Sequence, residues 1–111
     1  MKKLLTKLKK NWKKETSFMS SAHTIWANEH YLEIIKLGQT EHKQEVIDFI
    51  VEDIKTNGAD HWDDALRKII GDSPFIPEKS YGRIREICDI WVKWITPEKI
   101  NLSNDIGNDI I

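Results

Sequence analysis

The run Tyr31-Leu-Glu-Ile-Ile-Lys-Leu-Gly38 decides the fold, because its apolar residues return later in the chain. Tyr31, Ile34 and Ile35 recur as Leu66, Ile69 and Ile70, each 35 positions further on. The segments that follow match at an offset of 37: Val46, Ile47, Ile50, Val51 and Ile54 align with Arg83, Ile84, Ile87, Cys88 and Trp91. Spacings of three and four residues place such sets on one helical face. The pattern predicts a repeated helix pair, and such units bury their apolar faces only against neighbours.

Helical spacing and helix-end signals predict five helices. The first is a basic amphipathic helix, whose apolar face is expected to contain Leu4, Leu5, Leu8 and Trp12. The second runs to Leu37, with Gly38 expected in the left-handed conformation. The third has Thr40 as its expected N-cap and stops near Asn57-Gly58. The last two are expected from the N-cap Asp60 to Gly71, and from about Ser80 to Ile95.

The rest of the chain is expected to be loop. Pro74 and Pro77 deny residues 72–80 a regular helix, and we expect Phe75 or Ile76 to pin that loop to the core. Residues 1–97 are predicted to form a single all-helical domain, followed by a loose tail over residues 98–111. No alternating apolar pattern predicts a strand, so the predicted fold class is all-α.

Two resemblances add to this interpretation. The run from Tyr31 to Gly38 and the run from His61 to Phe75 resemble HEAT-type helical repeats. The opening Trp12-Lys-Lys-Glu-Thr16 and the closing Trp91-Val-Lys-Trp94 are similar to those of a group of small uncharacterised bacterial proteins that are all-helical. The likeness spans roughly residues 12–94. It implies two antiparallel helix pairs in HEAT-like stacking beside the N-terminal basic helix, and it implies no activity.

Charge is divided sharply along the chain. Residues 1–14 hold seven lysines and no acid, whereas the remaining residues hold ten basic and eighteen acidic side chains. Three roles for the basic helix stay open. It can dock as a terminal helix on the repeats, bind nucleic-acid phosphates with low sequence specificity, or lie on an anionic membrane. The residues expected at a nucleic-acid or anionic surface are Lys2, Lys3, Lys7, Lys9, Lys10, Lys13 and Lys14.

The predicted location is cytoplasmic. No apolar run approaches the roughly 18 residues of a membrane span, and no signal-peptide core of about 7–15 apolar residues follows the first lysines. The single cysteine, Cys88, cannot form an internal disulfide and lies on an apolar helical stripe. A buried thiol of this kind is typical of a reducing compartment.

Catalysis is not expected. The segment Asp60-His61-x-Asp63-Asp64 offers ligands for a hard cation, but acidic residues at a helix start explain it without a metal. The histidines lack the spacing of metal ligands, and Cys88 is expected to be buried and inert. The chain has no Gly-x-Ser-x-Gly elbow and no glycine-rich phosphate loop. We therefore predict no catalytic residue, no cofactor and no metal site.

Five tryptophans are many for 111 residues. Most are expected in the core, but tryptophan is enriched at interface hot spots. Trp26, Trp62 and Trp94 are the predicted partner contacts, with Trp94 and Trp62 expected at a rim or on a groove. The predicted function is a non-catalytic protein-interaction module, whose helical-repeat face docks another protein or a second copy. A nucleic-acid-binding adaptor that uses the basic helix is the alternative.

Overall fold

The computed structural model describes residues 1–17 and 25–96, and within these ranges it contains helices and no strand. The elements are five α-helices and one 3-10 turn: α1 (Lys2–Glu15), α2 (Glu29–Gly38), α3 (Lys43–Asn57), α4 (Asp63–Ile70), the 3-10 turn (Glu78–Ser80) and α5 (Ile84–Ile95). The predicted all-α class with five helices is therefore confirmed. The predicted tail over residues 98–111 lies outside the described residues.

Helix α1 docks on the rest of the protein. Leu5, Leu8 and Trp12 lie one helical turn apart on one face and are buried against α2 and α3. Leu4 was expected on this face but is 44% exposed, because it lies about 100° around the helix from Leu5. The basic helix is thus a packed member of the fold.

Helix α2 is central, since it packs against α1, α3 and α4. Its buried face holds Tyr31, Ile34, Ile35 and Gly38. The expectation that Gly38 is left-handed is wrong, because Gly38 is the last helical residue and Gln39 is the C-cap. A Cβ at Gly38 would lie 2.6 Å from the side chain of Ile69, so glycine permits the close approach of α2 and α4.

For α3 the predicted C-terminal end is confirmed, but the predicted start is wrong. The helix begins at Lys43, not after Thr40, and the Thr40 hydroxyl instead accepts a hydrogen bond from the His42 N–H at 3.1 Å. It ends at Asn57 as predicted, where Gly58 has a φ of 96°. The glycine stop is a local signal, whereas the start follows a short turn that Thr40 stabilises.

The start of α4 is capped from another helix. Trp62 occupies the N-cap position without a side-chain bond, so the predicted N-cap Asp60 is wrong. The hydroxyl of Tyr31 on α2 accepts the Ala65 N–H at 2.8 Å, which is the bond that an N-cap side chain usually makes. The predicted end is confirmed, because Gly71 has a φ of 82° in the left-handed region.

The last segment departs most from expectation. Helix α5 begins at Ile84 rather than near Ser80, which belongs to the 3-10 turn. Phe75 does not pin the preceding loop: it is 84% exposed, while Pro74 is buried and Ile76 half-buried. In α5, Cys88 and Trp91 are buried and Ile87 packs partly against the core.

The core draws on every helix. Three buried rings form its centre, with the Trp12 ring centroid 4.8 Å from that of Tyr31 and 5.0 Å from that of Trp62. The sequence repeat is visible in burial, because the matched residues Ile34 and Ile69 are both buried. The HEAT-like stacking of the helix pairs stays a prediction. No described helix is long and apolar enough to cross a membrane.

Candidate functional site

Each carboxylate of the acidic segment, residues 60–64, has at least one polar partner in the protein. Asp60 Oδ1 accepts from Lys13 Nζ and from the His61 N–H, each at 2.8 Å. Asp63 Oδ1 accepts from the Trp91 indole at 2.6 Å. Two salt bridges join the segment to the next helical turn, from Arg67 to Asp63 Oδ2 at 2.9 Å and from Lys68 to Asp64 Oδ2 at 3.2 Å. Asp64 Oδ2 is buried and accepts no hydrogen bond from the described residues, so the ion pair with Lys68 is its polar contact. These contacts support the helix-start interpretation of the segment.

The backbone of the acidic segment is equally occupied. The His61 carbonyl accepts from the Tyr31 hydroxyl at 2.9 Å and from the Trp26 indole at 3.2 Å. The Asp60 carbonyl accepts from Cys88 Sγ at 3.2 Å. Burial raises the pKa of the Cys88 thiol, so the nucleophilic thiolate is disfavoured. The segment is the point at which α1, α2 and α5 are tied to α4.

Asp53 on α3 is a second buried junction. Its Oδ1 accepts from Lys9 Nζ and, at 2.8 Å, from Asn57 Nδ2, while Oδ2 accepts from the Trp62 indole at 3.0 Å. Three donors from Lys9, Asn57 and Trp62 thus find an acceptor, and both carboxylate oxygens of Asp53 find donors. The sequence did not predict this junction, because an aspartate in a helix is expected to face solvent. Its burial becomes evident only when its hydrogen-bond partners are known.

The tryptophans predicted as partner contacts lie in three environments. Trp62 is 0% exposed, so its predicted rim position is wrong: its ring fills the core between Trp12 and Tyr31. Trp26 is half-buried, with its indole held by the His61 carbonyl. Trp94 is 37% exposed and stacks edge-on against Trp91 at a centroid distance of 5.5 Å. Of the three, Trp94 offers the most surface.

Two aromatic residues that sequence reasoning did not select are the most exposed large apolar side chains of the described residues. Phe75 is 84% and Tyr81 66% exposed, and both line a cleft of about 470 Å³. Ile87 of α5 lines the same cleft. Trp94 lies seven residues after Ile87, about two helical turns, and so shares its face. We call Phe75, Tyr81, Ile87 and Trp94 the apolar surface.

The predicted basic residues separate into two groups. Lys9 and Lys13 are half-buried and pair with Asp53 and Asp60. The other five are exposed: Lys2, Lys3, Lys7, Lys10 and Lys14. A cleft of about 890 Å³ runs between α1 and α3, with lysines along the α1 wall and Glu45, Asp48 and Glu52 along the other. Lys2, Lys9, Lys10 and Lys13 line this cleft, whereas Lys3, Lys7 and Lys14 lie outside it.

One group of potential metal ligands lies at the surface within the described ranges. Single ligand atoms of Glu15, Glu29 and His30 fall within 4.8 Å of one another. Hydrogen bonds from Asn28 and His30 to Glu15 lower the pKa of that exposed carboxyl, so the cluster is held together without an ion. The sequence did not predict this group, because thirteen residues separate Glu15 from Glu29 along the chain.

Comparison with known proteins adds no family to this description. No family model, no curated protein and no solved structure matches the chain.

Proposed function

We propose that this chain is a non-catalytic protein-interaction module, and that it docks its partner on the apolar surface. The observation that carries the proposal is the exposure of Phe75, at 84%, beside a cleft that it helps to line. Exposed aromatic side chains that cluster on one surface are typical of interaction sites. Tryptophan and tyrosine are also enriched among the hot spots of protein interfaces.

The apolar surface is held in place by its neighbours. Pro74 and Pro77 fix the backbone on both sides of Phe75, and Pro74 is itself buried. Ile87 packs partly against the core, and Trp94 rests edge-on against the buried Trp91. Side chains ordered before binding lose less conformational entropy on binding, which favours recognition through the packed Ile87 and Trp94.

A second copy of the chain is the partner that the geometry favours. Phe75 projects beside a cleft of about 470 Å³, so each copy carries both a protruding ring and a space to receive one. In a twofold dimer the same patch meets itself, and a protrusion next to a cleft is self-complementary in that arrangement. The cleft also contains Asp63 and Arg67, which can form polar contacts at the rim.

The groups that could carry chemistry have structural tasks instead. The acidic segment and Asp53 accept hydrogen bonds from lysine, asparagine and tryptophan side chains. Cys88 is buried and its thiol pKa is raised. These contacts support a non-catalytic role, because a group that is fully used in packing is not available to a substrate.

Sedimentation equilibrium of the full chain tests the proposal, over concentrations from about 1 µM to about 1 mM. We expect a monomer–dimer equilibrium that Phe75→Ser shifts to the monomer by at least about tenfold in Kd, as loss of a hot spot does. Leu32→Ser is the matched control, since Leu32 is an exposed apolar residue of α2 that does not line the cleft. A wild-type chain that stays monomeric throughout contradicts the proposed dimer.

A further inference from the structure

Four lysines of α1 form a single exposed row, which we call the lysine stripe: Lys3, Lys7, Lys10 and Lys14. Their intervals of four, three and four residues keep them on one face of the helix. From Lys3 to Lys14 the stripe spans eleven residue steps, or about 16 Å along the helix axis. We propose that the lysine stripe binds the phosphate backbone of a nucleic acid, without reading its base sequence.

The packing of α1 fixes the direction in which the stripe points. The buried residues Leu5, Leu8 and Trp12 lie on the opposite side of the helix. Lys9 and Lys13, on a third side, are held by Asp53 and Asp60. These two salt bridges and the buried face set the rotation of α1, so the stripe is presented to solvent as a rigid row.

Among the described residues, 1–17 and 25–96, the four stripe lysines form no salt bridge, although Lys10 also lines the cleft whose other wall carries Glu45, Asp48 and Glu52. A lysine without an acidic partner in its own protein can neutralise a phosphate. Each phosphate neutralised in this way releases counterions condensed on the nucleic acid, and that release drives binding.

Nucleic acid fits this surface better than a membrane does. An amphipathic helix binds a bilayer by inserting its apolar face, and here that face is buried in the protein core. Leu4, at 44% exposed, is the one large apolar residue that α1 offers to solvent. A row of about 16 Å matches roughly five successive phosphates of one DNA strand, which are about 3.4 Å apart along the axis.

The composition of the stripe accounts for the lack of base readout. Helix α1 contains no arginine and no exposed aromatic ring, which are the groups that most often contact base edges or stack on bases. Lysine acts as a point charge on a flexible chain, so it follows phosphates without selecting a sequence. The stripe is also separate in the sequence from the apolar surface, so the two proposals stand independently.

Fluorescence anisotropy with a labelled mixed-sequence DNA duplex tests the proposal on the full chain. Four neutralised phosphates predict a slope of about −3.6 for log K against log salt concentration, hence about 150-fold weaker binding at about 200 mM than at about 50 mM salt. A wild-type chain that does not bind the duplex at the lower salt concentration overturns the proposal.

Two variants with four substitutions each distinguish the effect of the stripe on binding from the effect of the protein's net charge. The stripe variant carries Lys3→Gln, Lys7→Gln, Lys10→Gln and Lys14→Gln. The control variant has the same net charge and replaces four exposed lysines of other elements: Lys36→Gln, Lys43→Gln, Lys55→Gln and Lys79→Gln. Glutamine keeps a similar helix propensity, and circular dichroism checks that both variants fold.

We expect the stripe variant to bind the duplex at least about tenfold more weakly and to lose most of the salt slope, and the control variant to change by less than about threefold. Equal weakening in both sets overturns the proposal, since it attributes the binding to overall charge. Vesicles rich in phosphatidylserine serve as a second probe. Stripe-dependent binding to vesicles without binding to the duplex also overturns it, in favour of a lipid surface.

Discussion

The indole of Trp62 donates a hydrogen bond to Asp53 Oδ2 at 3.0 Å, in the interior between α3 and α4. The other carboxylate oxygen accepts from Lys9 and Asn57. One buried side chain thus joins the basic helix α1, its own helix and the start of α4. A carboxylate inside a protein is tolerated only when its charge and its acceptor sites are satisfied, as they are here.

Replacement of Asp53 by alanine is expected to lower the free energy of unfolding by about 3 kcal/mol. The change removes the partner of Lys9 and leaves the buried Trp62 N–H without an acceptor. Asp48→Ala is the control, because Asp48 is exposed on the same helix and, among the described residues, its side chain hydrogen-bonds only with Gln44. Urea unfolding measures both variants, and equal stabilities would show that the junction is unimportant.

Tyr31→Phe is expected to cost about 1–2 kcal/mol of stability. The substitution keeps the ring but removes the hydroxyl that accepts the Ala65 N–H, so the first turn of α4 loses its cap. Burial raises the pKa of Tyr31 well above its usual range, so the hydroxyl stays neutral throughout the neutral pH range. Tyr81→Phe, at an exposed position, serves as the control, and a similar loss there would argue against the capping role.

Gly38→Ala is expected to destabilise the fold by about 1–3 kcal/mol through overpacking. The new methyl group would lie 2.6 Å from Ile69 Cδ1 and Cγ1, so α2 and α4 would have to move apart. The double variant with Ile69→Ala tests this cause, because the shortened side chain makes room. The two losses should combine to less than their sum, with a coupling of at least about 1 kcal/mol. Additive losses would mean that the strain arises elsewhere.

Local signals predicted the elements of this fold well. The helical spacing of Ile34 and Ile69 identified two buried faces, and Gly58 and Gly71 marked two helix ends, because glycine at positive φ is a property of the chain itself. The start of α4 could not be found in this way. Its cap comes from Tyr31, which lies 34 residues away from Ala65, and no pattern near Asp60 reveals a distant hydroxyl.

The candidate surfaces were predicted less completely. The charge run indicated the basic helix, but only packing shows that Lys9 and Lys13 face acidic partners while Lys3 and Lys7 face solvent. Either Phe75 or Ile76 was expected to pin the loop to the core; Ile76 is half-buried, whereas Phe75 is exposed. Its exposure depends on the path of the loop between two prolines, which the sequence pattern does not determine.

His61 makes stability depend on pH. Burial lowers the pKa of its imidazole from the ordinary value of 6.5, with a further lowering by Lys13 and an opposing effect of Asp60. The unfolded chain therefore binds a proton more readily than the folded protein at this residue. The contribution of His61 to the free energy of unfolding is therefore complete above about pH 6.5. It decreases as the pH falls through the pKa that the imidazole has in the unfolded chain.

His61→Gln is expected to reduce the loss of stability between about pH 7.5 and pH 5.5, because glutamine does not titrate. The fold should survive the change, since Tyr31 and Trp26 bond to the backbone carbonyl of residue 61 and not to its ring. Thermal unfolding at the two pH values measures the effect, with the exposed His42→Gln as control. The lowered pKa values of Glu15 and Glu86 lie below 4.5, so these groups titrate outside this window. An unchanged difference in Tm would show that the ring is as well solvated in the folded protein as in the unfolded chain.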